Sequence, residues 1–149
     1  MVGVSGASGT AYAAAVVRGL LAAGEAVDLV VSRAARLTVL DETGISFRDG
    51  HWREDLREWL EQPLDSGKPQ LGSLDGVRYW AAGDLAAGPS SGSYPAKGML
   101  VVPCSTASVA GIALGLSTLT SQRQYPGNVS CLTQASARLA VPSSPAQRR

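Results

Sequence analysis

The segment that most restricts how this chain can fold is Gly3-Val4-Ser5-Gly6-Ala7-Ser8-Gly9, which joins an apolar stretch at residues 1–4 to a helical pattern at residues 10–23. Glycines allow the backbone to turn sharply and to approach another group closely. Tyr12, Val16, Leu20 and Ala23 recur at three- and four-residue spacing, which places them on one helical face. Gly24 falls where a helix ends in a left-handed residue. A strand, a tight turn and a helix in this order leave unpaired N–H groups and the positive end of the helix dipole at the turn. That setting suits an anion, and Ser5 and Ser8 add hydroxyl donors. The same residues also suit a plain strand-to-helix turn. The spacing is not the dinucleotide fingerprint G-x-G-x-x-G, because Val4 takes the place of its first glycine.

Residues 26–31 form an apolar Val/Leu run, as expected of a strand in a parallel sheet covered on both faces. Residues 33–41 read as a second helix. Residues 44–76 are polar and mixed, apart from an amphipathic helix at 52–60 with Trp52, Leu56, Trp59 and Leu60 inward and a solvated charged face. Short strands follow at 77–80 and 98–102, separated by a Gly-, Pro- and Ser-rich loop at 87–95. A helix of small residues occupies 105–116. This order implies right-handed crossovers and an α/β fold, a doubly wound parallel sheet of the three-layer Rossmann or flavodoxin-like kind. Ligands of such sheets bind beyond the carboxyl ends of the strands, near the switch point. From Thr118 no apolar periodicity remains. The expected organisation is a domain at 1–117, cut short after its fourth strand and helix, and an irregular tail at 118–149.

A chain of 149 residues suits one domain with a real core. Its net charge of +1 gives no global pull toward nucleic acid or acidic membranes. No apolar run reaches the ~18 residues of a spanning helix. Cys104 and Cys131 lack the spacing of a metal site or a disulfide framework. The expectation is a cytoplasmic protein without a metal.

Two more positions bear on chemistry. Ser32 ends the second strand, where a dinucleotide-binding unit often carries an acidic residue for the ribose. A serine there either caps the next helix or meets a ligand oxygen. It disfavours NAD, although Asp28 lies within the same strand. Pro103-Cys104-Ser105-Thr106-Ala107-Ser108 again joins a strand to a small-residue helix, with hydroxyls on Ser105, Thr106 and Ser108 over the first turn. Two hydroxyl-rich turns in one sheet favour a shared ligand. Cys104 has no basic partner in its neighbourhood, and the single histidine, His51, lies in the insert. A nucleophilic hydrolase is therefore disfavoured.

At these residues the sequence resembles the flavin prenyltransferase family (UbiX-like), among the flavoproteins that include phosphopantothenoylcysteine decarboxylase. The resemblance is carried by Val2-Gly-Val-Ser-Gly-Ala-Ser-Gly9, Val30-Val-Ser-Arg-Ala-Ala35, Ser91-Gly-Ser93 and Gly98-Met-Leu-Val-Val-Pro-Cys-Ser105, running on to Gly111-Ile-Ala-Leu-Gly115. The Ser-Gly-Ala-Ser-Gly and Pro-Cys-Ser motifs oppose the cysteine decarboxylase branch. The resemblance implies reduced FMN as bound flavin and substrate, and dimethylallyl monophosphate as prenyl donor. The prenyl group joins the flavin at N5 and C6 without a metal, and the prenylated FMN serves a UbiD-like decarboxylase. Carried over by position, Gly6, Ala7, Ser8, Ser32, Ser105, Thr106, Ala107 and Ser108 contact FMN. Ser8 is the catalytic hydroxyl near N5, and Ser91, Gly92 and Ser93 form a substrate loop over the site. The resemblance further implies a homo-oligomer, a dodecamer built from trimers. The alternative is a non-catalytic flavin-binding or assembly subunit of a decarboxylase system.

Family members continue past the last helix with a Lys-Glu-Arg-Arg segment and a Val-rich strand ending in Arg-Glu-x-Pro. Residues from 118 onward carry neither. The tail reads as a truncated or frame-shifted end, which leaves the fourth strand without a further neighbour and uncovers apolar faces of the first helix and of residues 105–116. Translation of the other frames beyond codon 117 is expected to uncover Lys-Glu-Arg-Arg; its absence there would contradict the frame-shift.

Overall fold

Branched Val and Leu side chains at alternate positions suit a pleated, buried surface, and the apolar runs read from sequence do form strands. The computed structural model describes residues 1–63, 71–84, 86–91 and 93–114, and the backbone of 129–131. The chain runs β1 (Val2–Val4), α1 (Thr10–Ala22), β2 (Val27–Val31), α2 (Arg33–Thr43), α3 (Trp52–Leu60), β3 (Val77–Ala81), β4 (Met99–Val101), α4 (Thr106–Ala113) and β5 (Val129–Cys131). The strands form one sheet in the order β3-β2-β1-β4-β5, and every neighbouring pair is parallel. β2 and β3 are added on one side of β1, β4 and β5 on the other. β1 therefore marks the point at which the winding reverses, the switch point of a doubly wound sheet.

Alternation along each strand divides the sheet into two faces. On one face Val2, Val4, Val27, Leu29, Val31 and Val77 share a core with residues of α1, α2 and α3. On the other, Met99 and Val101 pack with Cys104 and with Ile112 of α4. The buried stripe of α1 is Thr10, Ala13, Ala14 and Val17. This corrects the expected stripe: Tyr12, Val16 and Leu20 are half-buried at its edge and Ala23 is exposed. Alanines at the centre let the helix approach the sheet, and the larger side chains lean to the flanks. The helix closes with Gly24 N–H on the Leu21 carbonyl and Glu25 N–H on the Leu20 carbonyl, the paired bonds of a Schellman end.

The helix expected at 52–60 has those bounds in α3. Leu56, Trp59 and Leu60 are its largest buried side chains, whereas Trp52 stays at the boundary, stacked on Tyr79 with ring centroids 5.6 Å apart. Its charged face is not wholly solvated. Asp55 is only 3% exposed, and its carboxylate accepts from the Arg48 backbone N–H at 2.7 Å, Nε at 3.1 Å and Nη2 at 2.6 Å. The bond from the Arg48 side chain is the main reason its carboxyl lies below the usual range.

No strand was expected beyond residue 117, yet Val129–Cys131 pairs in parallel with β4, opposite Met99–Val101. β4 thus has a neighbour on both edges. A three-residue strand flanked by polar sequence carries no periodicity from which to read it. The rest of 115–149 lies outside the described residues, as does 64–70. The central stripe of α1 is buried, with Tyr12, Val16 and Leu20 half-buried beside it; among the described residues the exposed large apolar side chains are Leu37 and Leu40 of α2, Val109 of α4, and Leu114 just past it.

Leu56→Ala removes a side chain with no exposed surface. It is expected to cost ~2–5 kcal/mol of unfolding free energy. Glu58→Gln, at an exposed position, should stay within ~0.5 kcal/mol. Urea denaturation of the two variants beside the parent checks both.

Candidate functional site

The turns after β1 and β4 meet at the carboxyl edge of the sheet. Ser5 is buried, and its Oγ donates to the Pro103 carbonyl at 2.7 Å. The turn after β1 also lies against α2. A Cβ on Gly6 would stand 2.5 Å from Ala34 Cβ, and Thr38 Oγ1 donates to the Gly6 carbonyl at 3.2 Å. Only a residue without a side chain allows this approach. Three strand-to-helix turns, at 5–9, 32–35 and 103–108, are thereby gathered around the switch point.

Ser32 is the N-cap of α2, its Oγ accepting from the Ala35 N–H at 3.0 Å. Ser105 does the same for α4, accepting from the Ser108 N–H at 3.1 Å, with the two hydroxyls 3.0 Å apart. Such caps satisfy one orphan donor each and leave the other first-turn N–H groups without intrahelical acceptors. In α4 those belong to Thr106 and Ala107, both exposed. Ala7 is half-buried, while Gly6 and Ser8 are exposed. The hydroxyls of Ser91 and Ser93 lie 2.9 Å apart in the segment after β3; Gly92 lies outside the described residues. This segment is tied to the sheet through Tyr94, whose hydroxyl donates to Asp28 Oδ1 at 2.9 Å.

The N-terminus of α1, read from sequence as the open anion cradle, is already filled from within. Glu42, in the last turn of α2, accepts from the Gly9 N–H at 2.8 Å, the Thr10 N–H at 2.8 Å and Thr10 Oγ1 at 2.6 Å. Burial pushes its carboxyl up, but the bonds from Thr10 and Gly9 outweigh that and hold it below the usual carboxylate value. Nothing local in the sequence marks Glu42, which lies 32 residues from Thr10. Asp28, the residue that kept NAD open, is not at the carboxyl edge. It is the second residue of β2, and its Oδ1 accepts from Trp80 Nε1 and from Tyr94.

A cavity of about 590 Å³ lies at the opposite, amino edge of the sheet, among Val27, Asp28, Pro95, Lys97 and Leu100. It gathers few polar groups that converge on one point, and the turns at the carboxyl edge are the better candidate on chemical grounds. No helix among the described residues is long and apolar enough to cross a membrane.

The winding order and the turns gathered at β1 define a doubly wound α/β protein of the class whose ligands lie at the carboxyl edge of the sheet. Within that class, the Flavoprotein family model matches residues 1–123, and the chain belongs to that family. It is 74% identical over 125 residues to a flavin prenyltransferase UbiX of Streptomyces coelicolor, covering 83% of this chain and 57% of that protein. It is 38% identical over 118 residues to the UbiX of Synechocystis, covering 79% and 54%. Among solved structures it resembles AnUbiX in complex with FMN and dimethylallyl pyrophosphate (TM-score 0.54, 25% identity, 82% of this chain and 54% of that one). It also resembles a dodecameric FMN-dependent UbiX-like decarboxylase from Escherichia coli (TM-score 0.59, 28% identity, 83% and 56%). The chain spans about half the length of the curated relatives it matches.

Glu42→Ala should destabilise the fold by ~0.5–2 kcal/mol, the usual worth of a helix N-cap. A carboxyl held below its ordinary value of 4.5 contributes stability that is complete above that value and is lost as the pH falls through the folded one. The gap between parent and variant should hold near neutrality and close in acid. Urea midpoints across the pH range check this.

Proposed function

We propose that this chain is a flavin prenyltransferase that moves a dimethylallyl group from dimethylallyl monophosphate to reduced FMN, yielding prenylated FMN for a UbiD-like decarboxylase. The observation that carries the reading is the joining of two hydroxyl-rich turns at the switch point by the Ser5–Pro103 bond. The Flavoprotein match over residues 1–123 takes in both turns, and the chain is 74% identical over 125 residues to a flavin prenyltransferase. The donor set fits the cofactor. FMN is anionic at its phosphate and polar along its ribityl chain, and the turns supply hydroxyls, capped helix ends and an exposed glycine backbone.

Since Glu42 already fills the α1 terminus, the N-terminal turns of α2 and α4 are left to take the phosphate. Ser32, Ser105, Thr106, Ala107 and Ser108 line that side, while Gly6, Ala7 and Ser8 face the flavin body. FMN, once bound and reduced, supplies the nucleophilic ring atoms. The chain's own part is to bind and orient both partners and to hold a proton at Ser8 Oγ. Glu42 steadies the turn that carries Ser8 through the adjacent Gly9 N–H. Ser91, Gly92 and Ser93 form the substrate loop.

The reading includes a cytoplasmic homo-oligomer. Leu37 at 68% exposure and Leu114 at 70% supply apolar surface on or beside the helices whose first turns border the site, and surface of this kind favours association.

Binding and turnover separate in one experiment. The chain is titrated with FMN, and the complex is then incubated anaerobically with reduced FMN and dimethylallyl monophosphate. Mass analysis of the released flavin should show one added dimethylallyl unit. A yellow complex without product would leave a flavin-binding subunit and overturn the transfer; no flavin binding would overturn both. Ser8→Ala should keep FMN and slow transfer by ~10²–10⁴-fold.

A further inference from the structure

Asp28 is an acidic residue that the proposed function leaves without a task. It lies inside β2, where a carboxylate is poorly suited to a strand and costly to cover unless partnered. Its side chain is only 19% exposed. Its Oδ1 accepts from Trp80 Nε1 at 2.9 Å and from the Tyr94 hydroxyl at 2.9 Å. Arg78 Nη1 donates to the same Tyr94 hydroxyl at 2.9 Å and stands 3.9 Å from Asp28 Oδ1. The Tyr94 and Trp80 rings meet edge to face, with centroids 6.2 Å apart. Burial, and then the bond to Asp28, raise the Tyr94 hydroxyl above its usual pKa, so it remains a donor.

These contacts hold one end of the segment that carries Ser91 and Ser93. The other end is held by close packing: a Cβ on Gly88 would stand 2.7 Å from the Tyr94 ring. Between the two ends, the N–H groups of Ser90, Ser91 and Tyr94 donate to the carbonyls of Ala87, Gly88 and Ser91.

We propose that Asp28, acting through Tyr94, is a positioning residue that clasps residues 88–91 and 93–94 to the sheet and thereby sets where the hydroxyl pair of Ser91 and Ser93 stands for the prenyl donor. Asp28 touches neither flavin nor donor in this account. The clasp is a property of the fold; its service to the donor rests on the function proposed above.

The test compares the parent chain with Asp28→Ala, Asp28→Asn and Tyr94→Phe. Asn keeps the Oδ1 acceptor, and Phe keeps the ring while removing the hydroxyl. Amide hydrogen exchange at Ser90, Ser91 and Tyr94 should quicken by about tenfold in Asp28→Ala and Tyr94→Phe, with β1 and β2 amides unmoved and Asp28→Asn close to the parent. Unchanged exchange in both Asp28→Ala and Tyr94→Phe overturns the clasp, whatever the flavin does. If Asp28→Ala unfolds, Tyr94→Phe still decides.

A second readout uses the FMN-loaded proteins titrated with dimethylallyl monophosphate and followed by flavin absorbance. FMN affinity should be the same in all four. The donor-induced change should weaken in Asp28→Ala and Tyr94→Phe and return in Asp28→Asn. Equal donor response in all four overturns the positioning role while sparing the clasp. No FMN binding by the parent overturns the proposed function, and the exchange result still decides the clasp.

Discussion

One hydrogen bond, from Ser5 Oγ to the Pro103 carbonyl, ties the two sides of the sheet together at its carboxyl edge. Its net worth is only ~0.5–1.5 kcal/mol, but its consequence is geometric. β1 is three residues long and is paired on both edges, to β2 and to β4. The turn that leaves it must pass between helices on opposite faces. Fixing that turn to the one leaving β4 decides where every nearby hydroxyl stands. Gly6 then lets the same turn close on α2, so a third helix terminus joins the other two.

Electrostatics sorts those three termini. Each carries partial positive charge from unpaired N–H groups. Glu42 neutralises the first with the chain's own carboxylate. Ser32 and Ser105 only cap theirs and add no charge. An anionic ligand arriving at this edge therefore meets two attractive helix ends and one that is already satisfied. The carboxylate beside the Ser8 turn also gives this edge a polarity, negative at the α1 terminus and partly positive at the first turns of α2 and α4.

Much of this was legible in the sequence. Glycine and serine runs at two strand ends have a local physical cause, and the strands and helices they join were placed to within a few residues. α3 was legible because its apolar spacing is strong. What escaped depended on contacts between distant segments. Glu42 meets Thr10 only once α2 packs beside α1. Asp55 reads as part of a solvated face until Arg48 folds over it. Asp28 resembles a ribose ligand until Trp80 and Tyr94 are seen to claim it. The centre of α1 is hidden from a periodicity count because large side chains dominate it, whereas alanines sit where helix and sheet approach most closely. β5 is too short to announce itself.

The central claim is that the turns at the switch point, and not the cavity at the amino edge, receive the flavin. Titrating FMN into isotope-labelled protein and following the backbone amide resonances tests it directly. The account predicts the largest shifts at residues 5–9, 32–35 and 104–108, with little change at residues 25–28 and 95–100. Shifts concentrated at 25–28 and 95–100, or no shifts at all, would contradict it.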